Sequence, residues 1–382
     1  VIGFVAILVA ANVLYALHGF VASRRPYDRV SARREFPRLP SLSIIVPARN
    51  EERQIEGCVR SLLAQRHPDF EVIAVDDCSE DATAEILERV ASKDSRLRVM
   101  RGEPLPPGWV GKPWAIVQGV RQARGAWLLF TDADTFHTPE GAASVQSEAL
   151  ERELDALSVL TNQDLESPAE LALLPALFLA ILSGTGPIAD VGDPGKPGVA
   201  LFNGQYILVS RRAYDAIGGH AAVRGEIAED LELARRFKQD GRFRIALMAS
   251  EGIARTRMYR SLSEIWRGFT KNFALGVRGR AVPATAGTIV LACVSPLSPA
   301  LLTWLLLTSQ WVAAGVLAAS MLLVLGVVAG ETRLMRLPVW TSLLFPVGTA
   351  FTVAVLIASI YLFESGRGVQ WRGRRYRSLD PG

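Results

Sequence analysis

The sequence predicts an α/β domain with an open, parallel sheet, flanked at both ends by apolar segments long enough to cross a membrane. Three observations carry this. Short apolar runs with strand character alternate with helical segments between Leu42 and Phe130, the order that builds a parallel sheet. Acidic residues stand at the C-terminal ends of those runs, where open α/β sheets bind their ligands. Charge is almost absent from Val1 to Val21 and wholly absent from Thr285 to Gly330 and from Trp340 to Phe363.

Leu42 to Val46 reads as a first strand, stopped by Pro47, and Ile55 to Ala64 as a helix. Phe70 to Val75 is a second strand that runs into Asp76-Asp77. Ala82 to Ala91 is rich in the helix formers alanine, leucine and glutamate. Leu97 to Met100 is a third strand and Pro113 to Ala123 another helix. Trp127 to Phe130, after Gly125, is a continuous apolar run of the kind buried inside a parallel sheet. It ends in Asp132-Ala133-Asp134. Two ionised carboxylates this close repel each other. A hard divalent cation removes the conflict and can also carry phosphate oxygens. The bland alternative is a solvated acidic loop. Pro47, Asp77 and Asp132 all fall at equivalent strand ends, which favours a site.

Several classes are excluded. Residues 46–52 read VPARNEE, not GxGxxG, and no GxxxxGK[ST] occurs, so neither the usual dinucleotide fold nor a P-loop is expected. Phosphate then needs another device, and a metal on Asp132 and Asp134 is the candidate. Cys58, Cys78 and Cys293 lie far apart and imply no disulfide framework. The four histidines are scattered, against a zinc site.

The 382 residues carry a net charge of +4 and a mean hydropathy of +0.22, unusual for a soluble enzyme. About 20 apolar residues cross a bilayer as a helix. The first segment has no basic stretch ahead of it and no convincing cleavage site, unlike a signal peptide. Arg24, Arg25, Arg29, Arg33 and Arg34 follow it, which places the next domain in the cytoplasm. The stretch from 285 to 330 suffices for two spans with a break near Ser309-Gln310. A third later span would put the tail outside, yet Arg367, Arg372, Arg374, Arg375 and Arg377 favour the inside. Either the Pro296/Pro299 region is re-entrant or one segment lies in the interface. The expected division is a membrane helix (1–23), a basic linker (24–39), a catalytic domain (40–260), an amphipathic segment (261–284), about three membrane helices (285–364) and a basic tail (365–382).

The motifs IIVPARNEE, VIAVDDCSEDAT and LLFTDADTF, in this order, resemble those of inverting family 2 glycosyltransferases with the GT-A nucleotide-sugar-binding fold. The resemblance covers roughly residues 40 to 275. It implies that Pro47, Ala48, Arg49 and Glu51 lie by the nucleotide base, and that Asp77, with Asp76, contacts base or ribose. Asp132 and Asp134 would hold Mg²⁺ or Mn²⁺ against the donor diphosphate.

In GEIAEDLELARRFKQDG, residues 228–237 read as a helix, and carboxylates at its start are favoured by the helix dipole. The resemblance implies more: the pair Glu229-Asp230 carries the catalytic base, with Asp230 accepting the acceptor hydroxyl proton. Arg257 and Arg260 resemble an RxxRW motif in which Ser261 replaces the tryptophan. Their guanidinium forks suit diphosphate, with Lys271 a further partner. The other reading is a basic interfacial helix, since Leu262, Ile265, Trp266 and Phe269 have helical spacing. Lys112, in PPGWVGKPWA, resembles a GK segment near donor phosphate or sugar. Trp109 and Trp114 either face sugar or lipid or anchor at the interface. Residues 169–182 form a core or interfacial helix near the acceptor mouth. Asn203, His220 and Trp266 are the candidate acceptor contacts.

The whole pattern resembles membrane-bound transferases that glucosylate ceramide, hopanoids or carotenoids, the tail VQWRGRRY looking most like the last two. The implied activity is transfer of a hexose, glucose first, from a nucleotide-diphosphate sugar to a hydroxyl of a membrane lipid. UDP is the first choice of nucleotide and GDP the second. The implied place is a bacterial cytoplasmic membrane, with the catalytic domain in the cytoplasm. A polyprenyl-phosphate glycosyltransferase, a polysaccharide synthase and a non-catalytic scaffold are the alternatives. No nucleic-acid partner is expected, and the oligomeric state is left open.

Overall fold

The computed structural model describes residues 1–23, 27–36, 38–276, 281–365, 369–371 and 374–376. Arg24, Arg25, Arg367, Arg372 and Arg377, and residues 277–280 of the amphipathic segment, lie outside the described residues. The chain divides into two compact units.

Helix α1 (Ile2–Ser23) opens the chain and belongs to the unit of residues 1–26, 165–184 and 259–382. The α/β unit, residues 27–164 and 185–258, begins with β1 (Arg29–Ser31), β2 (Leu42–Ala48), α2 (Ile55–Leu63) and β3 (Phe70–Asp76). It continues with α3 (Thr83–Ala91), β4 (Leu97–Arg101), α4 (Gly111–Gln122), β5 (Trp127–Phe130) and β6 (Thr135–His137). Next come α5 (Gly141–Glu151), β7 (Ala156–Leu160) and β8 (Asn162–Gln163). Helix α6 (Pro168–Thr185) falls almost wholly in the other unit. The α/β unit resumes with β9 (Ile207–Ser210), α7 (Arg211–Ala216), α8 (Glu229–Asp240), β10 (Ile245–Glu251) and β11 (Ala254–Thr256).

Eight strands form one sheet in the order β1-β10-β7-β9-β5-β2-β3-β4. Strands β5, β2, β3 and β4 are neighbours and parallel, so their C-terminal ends share one edge. Strands β2, β3 and β5 are mostly apolar because both faces are covered, whereas edge strand β4 carries Arg98 and Arg101. Ile44 and Val46 pack with Ile55, Val59 and Leu62 of α2, while Ile45 turns to Ile116 of α4 and Leu233 of α8. One expectation is corrected: the sheet is mixed, since β9 runs antiparallel to both β5 and β7. The reversal has a use. Ile207 pairs with Phe130, so the loop entering β9 arrives at the edge where β5 ends. A second small sheet, β6-β11-β8, stands beside that edge and pairs Thr135 with Thr256.

In the other unit, α9 (Leu262–Gly276) is followed by α10 (Ala281–Ala292), a π-turn at Cys293–Leu297, α11 (Ser298–Leu307) and α12 (Trp311–Leu334). A 3₁₀ turn (Val339–Leu344), α13 (Phe345–Glu364) and the hairpin β12 (Val369–Trp371) and β13 (Arg374–Tyr376) complete it. Four stretches are long and apolar enough to cross a membrane: Ile2–Val21, Thr285–Leu307, Trp311–Arg333 and Val339–Leu362. The break expected near Ser309-Gln310 is present. Helix α6 is a core helix, with Leu174 and Leu177 buried.

Gly125 marks where the chain enters β5. A Cβ there would lie 2.4 Å from the Ser43 nitrogen and 2.7 Å from the Trp127 carbonyl oxygen. These are backbone atoms of the sheet and cannot yield cheaply. Gly125→Ala should therefore destabilise the α/β unit by about 1–3 kcal/mol. The thermal midpoint of the detergent-solubilised protein checks this, and an unchanged midpoint contradicts it.

Candidate active site

Two strand ends build one side of the site. The loop after β2 and the loop after β3 are laced together. Asp77 donates its N–H to the Ala48 carbonyl at 2.8 Å. The Arg49 guanidinium donates to the carbonyls of Asp77 (2.6 Å) and Cys78 (3.0 Å). Asn50 and Ser79 exchange further bonds with this pair of loops, and the Glu51 N–H donates to Thr83 Oγ1. Asn50 and Cys78 have φ of 54° and 55°, so both loops turn through the left-handed region. Pro47 sits one residue earlier on β2. Asp76 and Asp77 are buried, and Asp76 accepts the Ser79 N–H. Arg49 thus braces the two loops, and the buried Asp77 lies at the same strand end.

The other side is electrostatic. Lys112 stands in the first turn of α4, Asp132 just beyond β5, and Glu229 and Asp230 at the start of α8. Lys112 Nζ lies 2.7 Å from Asp132 Oδ1 and 2.7 Å from Glu229 Oε1. Burial works against its charge, but Asp132, Glu229 and Asp230 outweigh that and hold it well above the ordinary lysine value. Asp230 Oδ2 accepts the Gly204 N–H at 2.9 Å and Oδ1 accepts the Leu231 N–H at 2.8 Å. Burial, then the Glu229 charge, pushes Asp230 up to about 6, against the opposing pull of Lys112 and these two hydrogen bonds. A carboxylate so tuned is a competent base near neutral pH.

Asp134 follows on the same turn. The antiparallel register of β11 on β6 pairs Thr256 with Thr135, so Arg257 continues opposite Asp134 along the backbone. Among the described residues, no group of three or more His, Cys, Asp or Glu could hold a metal. Asp132, paired with Lys112, and Asp134 bring two carboxylates to this turn. That fits a cation such as Mg²⁺, which takes one or two carboxylates and completes its shell with phosphates and water.

Not every expected residue joins this group. His220 is corrected: it is a core residue. It sits in the turn Gly219–Val223, its Nδ1 pairs with the Tyr214 hydroxyl at 2.9 Å, and its ring meets Phe130 edge-on at 4.7 Å. Burial, with Lys112 nearby, keeps it neutral at a pKa of about 3. Asn203 braces the loop, donating from Nδ2 to the Val159 carbonyl at 2.8 Å. Trp109 and Trp114 stack edge to face at 4.9 Å, and the Trp114 indole donates to the Glu103 carbonyl. Arg260 and Trp266 belong to the other unit, where Trp266 packs on Phe351 at 5.6 Å.

Two features escaped the sequence reading. Gly204 is one: a Cβ on it would fall 2.9 Å from Lys112 Nζ and 3.0 Å from Asp230 Oδ2. The glycine in FNGQY was the available signal. The other is a buried polar brace beneath the acidic turn. Thr131 donates to the Gln205 carbonyl and pairs with His137, and Thr161 hydrogen-bonds Gln205.

Residues 43–167 match the family model described as glycosyl transferase family 2. The chain is similar to the 4,4'-diaponeurosporenoate glycosyltransferase of Staphylococcus haemolyticus (strain JCSC1435), with 28% identity over 276 residues, 71% of this chain and 71% of that protein. It is 28% identical over 249 residues to the protein of the same name from Staphylococcus aureus (strain USA300), spanning 62% of that protein, a little under two thirds. Among solved structures, the mannosyltransferase PcManGT from Pyrobaculum calidifontis, in complex with GDP-Man and Mn²⁺, aligns at a TM-score of 0.53. The alignment covers 95% of this chain and 97% of that one at 18% identity, a likeness of fold.

Gly204→Ala should displace Lys112 and Asp230 without disturbing the core. Misplacement on this scale costs on the order of 10²-fold in turnover. The expected result is that loss with an unchanged thermal midpoint. Full turnover contradicts the close packing described.

Proposed function

We propose that this chain is a membrane-associated family 2 glycosyltransferase of the GT-A fold and that it transfers a hexose, glucose first, from a nucleotide-diphosphate sugar to the hydroxyl of a membrane lipid. A carotenoid, hopanoid or sphingolipid is the acceptor class, with UDP the first choice of nucleotide and GDP the second. One observation carries the reading: a half-buried carboxylate of raised basicity, Asp230, stands beside Lys112, whose ammonium bridges Glu229 to the first carboxylate of the Asp132-Ala133-Asp134 turn. Asp230 takes the proton of the acceptor hydroxyl as its oxygen attacks the anomeric carbon. A single displacement inverts that centre. Asp132 and Asp134 would hold Mg²⁺ or Mn²⁺, which supplies screening of the leaving diphosphate. Lys112 and Arg257 add positive charge on the donor side, and Asp77 meets base or ribose. The names of the relatives support parts of this: GDP-Man and Mn²⁺ stand in that of the Pyrobaculum protein, and glycosyl transfer involving diaponeurosporenoate, a carboxylate, in those of the staphylococcal ones. The apolar stretches support delivery from the membrane, with the α/β unit in the cytoplasm.

The base assignment separates acceptor classes. A hydroxyl must lose a proton to react, whereas a lipid carboxylate or phosphate is already ionised. Asp230→Asn should lower transfer to a hydroxyl acceptor by roughly 10²- to 10⁴-fold with donor binding near wild type. Undiminished transfer with chemistry limiting would show that Asp230 is not the base, or that the acceptor needs none.

The pH profile gives a second test. Asp230 acts when ionised, and its pKa lies at about 6, so the single-turnover rate should be full above that value and fall as pH drops through it. Lys112 pulls that pKa down, so Lys112→Met should move the acid limb to higher pH. A limb that stays in place removes Lys112 from the base's surroundings.

The carboxylate turn gives the third. Two protein carboxylates alone should bind Mn²⁺ weakly, and nucleotide diphosphate should strengthen binding by supplying further oxygens. Titration calorimetry with and without UDP measures this. The Asp132→Ala/Asp134→Ala variant should lose the enhancement, and keeping it would sink the metal assignment.

A further inference from the structure

We propose that α13 does not cross the bilayer: α1, the kinked α10–α11 pair and α12 make three passes, and α13 lies in the interface at the side where α1 ends. The three crossing helices are matched along their lengths. Val5 and Leu8 pack with Leu305, Ala314 and Leu317. Asn12 Nδ2 donates to Ser320 Oγ at 2.9 Å and Ser298 Oγ at 3.3 Å, the polar bonding that joins membrane helices. Ala16 clusters with Val294, Val324 and Val328. A Cβ on Gly19 would meet Val327 at 2.5 Å. Numbers rise together along α1 and α12 and oppositely along α11, so α12 runs parallel to α1 and α11 antiparallel.

Helix α13 does not follow this pattern. It starts with Phe345 in the Ala16 cluster, 5.9 Å from the Tyr15 ring, only about 10 Å along the axis from the end of α1. The Ser295 hydroxyl donates to the Pro346 carbonyl at 3.3 Å. A crossing helix would then climb beside α11 and the first half of α12. Instead α13 packs chiefly on α9 and α10. Gly348 abuts the Ala172 carbonyl of α6, Phe351 meets Trp266, and the Ser359 hydroxyl donates to the Thr270 carbonyl at 3.0 Å. Ser359 is about 20 Å along α13 from Phe345, which would put it in the opposite leaflet if the helix crossed. Its partner α9 carries Glu264, Arg267 and Lys271, charges that belong at the interface and not in hydrocarbon. Val347, Ile357 and Tyr361 stay exposed and form the face that the bilayer covers.

Three passes also settle the charge conflict. Arg29, Arg33 and Arg34 after α1, and Arg374 and Arg375 after α13, then share one side, as the distribution of basic residues favours. Four passes would separate them.

Sidedness of labelling tests this on the full chain. In a background of Cys58→Ala, Cys78→Ala and Cys293→Ala, single cysteines are placed as Ser309→Cys, Arg336→Cys and Ser365→Cys. A membrane-impermeant maleimide is added to sealed vesicles of one orientation. Positions 336 and 365 should label from the same side and 309 from the other. In parallel, an epitope following Gly382 on the native-cysteine protein should be digested by protease from the side that labels 336. Position 365 or the epitope reacting from the side of 309 overturns the proposal.

Discussion

The site hangs on one ammonium group. Lys112 is shared between Asp132, at the end of β5, and Glu229, at the start of α8. Asp230 lies beside it. Without that cation, three carboxylates would stand close together with no compensating charge, and like charges at this range repel. The start of α8 adds a favourable dipole, but a dipole end is weaker than a full charge within hydrogen-bond distance. The ammonium therefore lets the carboxylates of Asp132, Glu229 and Asp230 stand together. It also explains the demand for glycine at 204, where the backbone approaches both Lys112 and Asp230. The antiparallel β9 brings its entry loop to the same edge, where the Gly204 N–H meets Asp230.

Much of the α/β unit was legible because its signals are local. Continuous apolar runs at 42–46, 70–75 and 127–130 mark strands buried on both faces, and each acidic pair is adjacent in sequence to the strand that presents it. The partners of Lys112 are not local. Nothing near residue 112 says that its ammonium will meet Asp132 and Glu229, and a donor-phosphate role was the natural reading from the segment alone. His220 shows the same limit. The Phe130 ring that encloses it comes from another strand, and a histidine in a glycine-rich turn otherwise reads as exposed. Asn203 precedes Gly204 in the chain, but its amide is spent on the Val159 carbonyl.

The membrane part failed to resolve for a different reason. Ile2–Val21 and Val339–Leu362 have nearly the same mean hydropathy, 2.1 and 2.2. Length and composition therefore rate them alike. What distinguishes them is packing: Asn12 bonds to serines of two neighbouring crossing helices, whereas Ser359 bonds to a helix that carries charge. A hydropathy profile holds no information on partners, so an even number of candidate segments and a basic tail remained in conflict until the register was known.

The proposed reaction moves one sugar, with inversion, onto a hydroxyl of a membrane lipid. The most direct measurement incubates the purified protein in bilayers with Mn²⁺, α-linked UDP-glucose and a bacterial lipid extract, then determines the product's partition and anomeric configuration by extraction and NMR. The account predicts a β-glycoside in the lipid phase, joined through an ether oxygen to the acceptor. An α-linked product, or sugar found only in the aqueous phase, would contradict it.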